Sequence, residues 1–234
     1  MRVAVQDKQK ALLASVAAEL VHPDMLLGLG TGSTVDLFIL ELGKKFGRLS
    51  DLRVVPTSKS SAQKAANLGI EVLEPSAKSI PDILIDGADE VSRNLSMIKG
   101  GGGALLWEKI VAHTAKKRIY IVDETKLVER LGKFPLPVEV VKFGHEWSRC
   151  SLQSLFDKVS FRRTAAGEPF ETDSGNFIYD CDLNPEINLE QFDKQLSSIP
   201  GVVTSGLFLG FIDCLLTVRK GNVLQINGSS DVFW

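Results

Sequence analysis

The chain has 234 residues, enough to bury a sizeable core in one large domain or two modest ones. Hydrophobic residues make up 44% and charged residues 24%, as is ordinary for a soluble globular protein. A formal net charge of −2 gives no electrostatic attraction toward nucleic acid or an anionic membrane. The apolar runs are too short to span a bilayer, and residues 1–10 lack the apolar core of a signal peptide. We therefore expect a soluble, cytoplasmic protein with no nucleic-acid or membrane partner.

Helices and strands alternate through the first half of the chain. Apolar residues at helical spacing predict helices at 8–20, 35–42, 60–68 and 104–116, and short apolar runs predict strands at 25–29, 53–55, 70–73, 81–85 and 118–122. Such alternation forms parallel βαβ units. The sequence therefore predicts an α/β fold with a doubly wound, mostly parallel sheet of the Rossmann-like kind.

The pattern changes after Gly132, where Pro135 and Pro137 mark a boundary. Strands are predicted at 138–141, 158–163 and 177–182 and helices at 146–156 and 189–199, with a hairpin-type turn at 173–176. This order predicts an inserted, smaller α+β domain of the ferredoxin-like sort. Apolar runs at 214–218 and 223–226 should return to the first domain. We expect an α/β domain of residues 1–131 plus 205–234, with the insert at 132–204.

The cysteines and histidines predict neither disulfides nor a metal site. The three cysteines are far apart and form no CxxC pair: Cys150, Cys181 and Cys214. Buried free thiols in a reducing compartment are the expected state. The three histidines are scattered too, and His145-Glu146 lacks the second histidine of a zinc-binding helix. We expect structural or surface histidines.

Three segments follow predicted strands directly: Gly28–Thr34, Thr57–Ser58 and Asp86–Asp89. Open parallel sheets bind ligands at the carboxyl ends of their strands, so these segments should converge on one crevice. The anion loop, GLGTGST at Gly28–Thr34, offers backbone amides, two hydroxyl groups and a helix N-terminus to a phosphate or another small anion. It matches neither the G-x-G-x-x-G pattern nor a P-loop. A plain tight turn with Ser33 as the helix N-cap explains the loop equally well.

Acids and a lysine surround a glycine segment, Gly100–Gly103. Asp86 and Asp89 are close enough to keep one acid protonated near neutral pH, although a solvated turn is the alternative. Lys99 could neutralise an oxyanion or be an exposed loop lysine. Glu108, in an otherwise apolar helix, could be a base or an exposed residue paired along the helix.

Long motifs of this chain resemble the type A ribose-5-phosphate isomerases. The matching motifs are collinear and span nearly the whole chain: GLGTGST at 28–34, DGADE at 86–90, KGGGGALLWEKIVA at 99–112, DETKLV at 123–128, LGKFPLPVEV at 131–140 and IPGVVTSGLF at 199–208. The resemblance implies interconversion of D-ribose 5-phosphate and D-ribulose 5-phosphate in the non-oxidative pentose phosphate pathway. It also implies no metal or organic cofactor, and a homodimer or homotetramer.

The resemblance further implies a role for each matching residue. Glu108 would be the catalytic base of a cis-enediolate reaction, with Asp86 and Lys99 on the substrate oxygens and Asp89 assisting ring opening. The implied substrate-binding residues are Thr31, Gly32, Ser33, Thr34, Gly87, Ala88, Gly100, Gly101, Gly102 and Lys126. Lys10 lies near the position of another phosphate-binding lysine. Trp107 departs from the family pattern, which has arginine before the glutamate, so any contact made by that arginine is in doubt.

Two other classes of function compete with isomerisation. A related fold serves sugar-phosphate sensors, but this chain has no spare length or basic region for a DNA-binding segment. A related fold also serves acyl-CoA transferases, which use a glutamate nucleophile, and amino-sugar phosphate deaminases. Trapping of an acyl-enzyme with hydroxylamine, or release of ammonia, would identify these reactions.

Overall fold

The structure is a computed structural model that describes residues 2–46 and 52–228. The helices are α1 (Arg2–Glu19), α2 (Ser33–Phe46), α3 (Lys59–Asn67), α4 (Leu105–Thr114), α5 (His145–Gln153) and α6 (Leu189–Ser197), with a 3-10 helix at Glu124–Lys126. The strands in the first half of the chain are β1 (Leu26–Leu29), β2 (Arg53–Pro56), β3 (Glu71–Val72), β4 (Ile83–Asp86), β5 (Glu90–Ser92), β6 (Met97–Ile98) and β7 (Arg118–Val122). Those in the second half are β8 (Leu127–Val128), β9 (Leu136–Val140), β10 (Val159–Phe161), β11 (Phe177–Cys181), β12 (Val202–Ser205), β13 (Leu207–Phe208), β14 (Cys214–Arg219) and β15 (Asn222–Asn227).

The backbone packs into two units. The first unit contains the described residues up to Ala88, then Trp107–Leu127 and the described residues from Phe211 onward. The second unit contains Asp89–Leu106 and Val128–Gly210. The domain limits expected from the sequence, 1–131 plus 205–234 and 132–204, stay a prediction about where independently folding domains end.

The first unit is built on a seven-stranded sheet in the order β15-β14-β7-β4-β1-β2-β3. Every neighbouring pair is parallel except β14 with β15, which confirms the mostly parallel α/β sheet and the return of the tail to it. All four residues of β1 are buried, as expected for a strand in a sheet covered by helices. The strand order reverses between β1 and β4, and open sheets bind ligands at that switch point.

The second unit contains a four-stranded antiparallel sheet in the order β10-β11-β9-β12. With α5 after β9 and α6 after β11, this is the ferredoxin-like arrangement that the sequence predicts. Leu136, Val138 and Val140 of β9 lie on one face and belong to the core of this unit. The alternate residues Pro137 and Glu139 therefore lie on the opposite face.

A third sheet, in the order β13-β6-β5-β8, was not predicted. Its strands have only two or three residues, too few to show a period in the sequence.

One expectation from the sequence is wrong for Cys150, and one alternative that the sequence left open is wrong for Ser33. Cys150 is exposed, because it lies on the outer face of α5, whereas Cys181 and Cys214 are buried free thiols as expected. Ser33 is not the N-cap of α2, because the helix begins at Ser33, directly after Gly32, whose φ is 116°. Among the described residues, no helix is both long and apolar enough to cross a membrane.

Candidate active site

Asp86 and the anion loop meet at the switch point of the first unit's sheet. The backbone N–H of Thr31 donates a hydrogen bond to Asp86 Oδ1 at 3.0 Å, and the N–H of Gly87 donates to the same oxygen at 2.7 Å. Asp86 is completely buried, so its interpretation as a solvated turn residue is wrong. Gly30 is required beside it, since a methyl group there would overlap the Asp86 carboxylate and lie 2.6 Å from its Cα.

A cluster of hydroxyl groups joins the anion loop to the end of β2. Thr31 Oγ1 lies 2.8 Å from both Thr57 Oγ1 and Ser58 Oγ. Ser61 Oγ donates to the carbonyl oxygen of Gly30 at 2.6 Å, and Ser58 Oγ caps α3 by accepting from the Ser61 N–H at 3.0 Å. The three segments that follow β1, β2 and β4 therefore converge at one edge of the sheet, as predicted.

The tip of the anion loop is open to solvent. Gly32 and Ser33 are exposed at the start of α2, whereas Thr34 is buried. Lys10 Nζ donates to Ser33 Oγ at 2.9 Å, so α1 adds a cation to this helix N-terminus. Exposed amides, a hydroxyl group and a lysine are suited to a phosphate group.

Helix α1 also holds the segment that follows β7. Gln6 Nε2 donates to the buried Asp123 at 3.1 Å, and Gln9 Nε2 donates to Glu124 Oε1 at 2.8 Å. Lys126 follows on the 3-10 helix and is half-buried. Sequence reasoning missed both glutamines, although positions 6, 9 and 10 share one helical face with Lys10.

Glu108 lies in the first turn of α4 and is only 4% exposed, so its interpretation as an exposed residue is wrong. Val111, one turn later on the same face, packs against Gly28 of β1. The end of α4 lies at the start of β4, since the Lys116 N–H donates to the Pro81 carbonyl at 3.0 Å. The turn that carries Glu108 therefore points toward the carboxyl ends of the strands, the sheet edge that holds Gly30 and Asp86.

The second unit holds Asp89, Lys99 and the glycine segment. Asp89 Oδ2 accepts a hydrogen bond from the Gly101 N–H at 2.7 Å. Lys99 is 2% exposed, which overturns its interpretation as an exposed loop lysine. The backbone N–H of Lys99 donates to the Gly206 carbonyl at 2.9 Å, and its side-chain Nζ lies 5.6 Å from the centre of the Phe208 ring. Gly101 and Gly102 are exposed.

Within residues 2–46 and 52–228, no group of three or more histidine, cysteine, aspartate or glutamate residues is arranged to hold a metal ion. His145 instead packs against Phe161, with its ring stacked at 5.4 Å, and its Nδ1 lies 2.8 Å from the hydroxyl oxygen of Tyr179. This histidine is a packed residue of the second unit, as expected.

Comparison with known proteins identifies similar sequences and structures. The profile of the family described as ribose 5-phosphate isomerase A (phosphoriboisomerase A) matches residues 53–221. A ribose-5-phosphate isomerase A of Parvibaculum lavamentivorans is 46% identical over 210 residues, covering 87% of this chain and 91% of the relative. The ribose 5-phosphate isomerase structure from Plasmodium falciparum has a TM-score of 0.88 at 35% identity, covering 94% of this chain and 98% of its own. A D-ribose-5-phosphate isomerase solved in complex with phospho-erythronic acid has a TM-score of 0.87 at 35% identity, covering 93% and 97% of the two chains.

Proposed function

The chain belongs to the ribose 5-phosphate isomerase A family, and from this premise we propose that Glu108 is its catalytic base. The enzyme interconverts ribose 5-phosphate and ribulose 5-phosphate, an aldose–ketose isomerisation of the pentose phosphate pathway. One observation gives the strongest support to Glu108 as the base. The Glu108 carboxylate is buried in the helix turn directed at the sheet edge of Asp86, where this class of fold binds its ligands.

The proposed reaction moves one proton between neighbouring carbons. Glu108 takes the proton from C2 of the open-chain aldose, the C–H electron pair forms the C1=C2 bond, and O1 takes the negative charge of a cis-enediolate. The same carboxyl group then returns the proton to C1, because both carbons present one face to it. Meanwhile O2 loses its hydroxyl proton and becomes the ketose carbonyl, and O1 gains a proton.

Three further residues act on the oxygens of the substrate in this proposal. Asp86 passes the proton between O2 and O1, and Asp89 assists opening of the furanose ring. Lys99 stabilises the enediolate charge. Its burial beside Phe208 supports this role, since a cation shielded from water stabilises a developing anion more strongly.

The substrate is held by backbone and hydroxyl groups. We assign its contacts to Thr31, Gly32, Ser33, Thr34, Gly87, Ala88, Gly100, Gly101, Gly102 and Lys126. Ser33, Thr34 and Lys126 would hold the phosphate, and the bond from Lys10 to Ser33 supports adding Lys10 to them. Phospho-erythronic acid should also bind this chain, because its carboxylate and phosphate resemble the two anionic ends of the enediolate phosphate.

Replacement of Glu108 by glutamine tests the proposal. Positioned proton transfer contributes roughly 10²–10⁴-fold, so Glu108→Gln should lower kcat by about that factor while substrate binding largely survives. Glu146→Gln is the matched control, since Glu146 also lies in the first turn of a helix but is exposed. Near-normal kcat in Glu108→Gln, or an equal loss of kcat in Glu146→Gln, would refute the assignment of Glu108 as the base.

We also propose a homodimer or homotetramer in the cytoplasm that needs no metal or organic cofactor. Oligomerisation is supported by an aromatic pair at the start of α5, where Phe143 and Trp147 are 86% and 74% exposed. Large exposed apolar groups of this kind are typical of interfaces. The free cysteines fit a reducing compartment. Light scattering of the purified chain should give two or four times the mass of one chain, and activity should withstand a chelator.

A further inference from the structure

Arg162 is a largely buried cation beside the glycine segment of the second unit. It directly follows β10, and its side chain is 12% exposed. Its N–H donates to the Ile178 carbonyl at 2.9 Å, and its carbonyl accepts from the Phe170 N–H at 3.0 Å. The backbone of Arg162 is therefore anchored on both sides, so its side chain extends from a fixed point.

The guanidinium group of Arg162 has two sets of partners. Nε donates to Asp180 Oδ2 at 2.9 Å and Nη2 donates to Asp180 Oδ1, so the two side chains form a bidentate ion pair. Nη1 donates to the carbonyl oxygens of Gly100 at 2.8 Å and Gly101 at 3.2 Å. Only the planar fork of arginine can bind a carboxylate at one end and two carbonyl groups at the other.

These bonds fix two successive peptide groups. The peptide between Gly100 and Gly101 is held at its carbonyl by Arg162 and at its N–H by Asp89 Oδ2, at 2.7 Å. The carbonyl of the next peptide, that of Gly101, also points at Arg162. Because a trans peptide is planar with its C=O and N–H opposed, the Gly102 N–H points away from the guanidinium group.

The glycine segment needs such restraint because glycine has more backbone freedom than any other residue. Gly100 and Gly103 have φ values of 98° and 81°, which favour glycine, so larger residues could not stiffen the segment there. The ring of Phe170 fills the space where a Gly103 side chain would be, and its centre lies 5.8 Å from the Arg162 guanidinium carbon. Arginine and ring together confine the segment from one side.

We propose that Arg162, oriented by Asp180, is a positioning residue that holds the Gly100–Gly102 peptides in the geometry that receives the sugar. The proposal rests on the proposed function, in which these glycines contact the substrate. Arg162 itself does not touch the reacting atoms. It turns the carbonyl groups of the glycine segment toward itself and so directs the Gly102 N–H to the opposite side, where an oxygen of the substrate can accept from it.

Arg162→Lys tests the proposal, because lysine keeps the charge but cannot serve Asp180 and both carbonyl groups. A misplacement of about 1 Å at a reacting centre can cost about 10²-fold. We therefore expect kcat/KM to fall roughly 10- to 100-fold, mostly through kcat, with weaker inhibition by phospho-erythronic acid and unchanged inhibition by inorganic phosphate. Hydrogen–deuterium exchange at the Gly101 amide, which donates to Asp89 Oδ2, should become faster.

The matched control is Arg163→Lys. Arg163 is exposed, and its Nη1 donates to the carbonyl oxygen of Gly167 at 2.7 Å, in the turn that follows it. This variant should keep the wild-type kcat/KM and glycine exchange. If Arg162→Lys does not fold, Asp180→Asn takes its place with the same criteria. This substitution weakens the pairing that orients the guanidinium group, and it leaves the positive charge of Arg162 in place.

A folded Arg162→Lys with wild-type kcat/KM would overturn the proposal. So would a loss of activity without faster exchange at the Gly101 amide, or an equal loss in Arg163→Lys. These outcomes test the positioning role of Arg162 separately from the assignment of Glu108 as the catalytic base. An inactive Glu108→Gln beside a fully active Arg162→Lys refutes only the positioning role, whereas an active Glu108→Gln refutes the base whatever Arg162→Lys does.

Discussion

Gly30→Ala should displace Asp86, because the two residues leave no room for a methyl group. The new Cβ would overlap the Asp86 carboxylate and lie 2.6 Å from its Cα, a backbone position that cannot swing aside as a flexible side chain would. Reaching 3.4 Å, where ordinary van der Waals contact begins, needs a shift of about 0.8 Å. A displacement of this size can lower kcat/KM by about 10²-fold, and such overpacking typically costs about 1–3 kcal/mol of stability.

Steady-state isomerase kinetics and thermal unfolding measure the two effects of Gly30→Ala. Gly87→Ala is the matched control for stability, since its added methyl group would have no neighbour closer than 3.9 Å. The control should unfold at nearly the wild-type temperature. Wild-type stability and wild-type kcat/KM in Gly30→Ala would refute the claim that this close approach positions Asp86.

Two further predictions concern stability and assembly. Glu139 is fully buried on β9, and burial raises the pKa of its carboxyl group above the usual 4.5, although Thr172 and Asn176 donate hydrogen bonds to it at 2.9 and 3.0 Å. Between these two pKa values the folded state keeps a proton that the unfolded chain loses. The contribution of Glu139 to the free energy of unfolding is therefore full below about pH 4.5 and is lost as pH rises through the folded pKa. Glu139→Gln stays neutral and should therefore raise Tm over wild type by more at pH 8 than at pH 4.5. Each unit of pKa shift at Glu139 is worth about 1.4 kcal/mol of stability. A Tm difference that does not depend on pH would contradict this account. Trp147→Ser should lower the mass seen by light scattering, while Leu40→Ser, at a residue 52% exposed on α2, should not; an unchanged oligomer in Trp147→Ser would exclude this face as the interface.

Much of the fold follows from periodic patterns in the sequence. The buried run of β1, the amphipathic α2 and the strand–helix alternation predict the parallel sheet, because each pattern extends over several residues. Helix α1 begins at Arg2, whereas the sequence predicted a start at residue 8. The prediction began too late because the first turns of this helix lack a clear apolar face. The short strands β5, β6 and β13 have no period to detect. Strands β5 and β6 pair as neighbours along the chain, whereas β13 pairs with β6 from a segment distant in sequence.

The site was predictable in its residues but not in their surroundings. The motifs around Asp86 and Glu108 identify which residues to consider, yet an exposed interpretation of each fits the local sequence at least as well as a functional one. Burial decides between them, and it depends on contacts that are distant in sequence. Lys99 is buried beside Phe208, and Arg162 reaches the glycine segment only through the pairing of β10 with β11. No local pattern around Arg162 signals this contact.

The most direct test of the central claim is NMR of ribose 5-phosphate in D₂O with wild-type enzyme and Glu108→Gln, each with and without a chelator. If Glu108 moves the proton through a cis-enediolate, wild type should form ribulose 5-phosphate with deuterium from solvent on carbon, and the chelator should change nothing. Glu108→Gln should form almost no ketose and exchange almost no carbon-bound hydrogen. Ketose formation at a near-wild-type rate by Glu108→Gln would contradict the account.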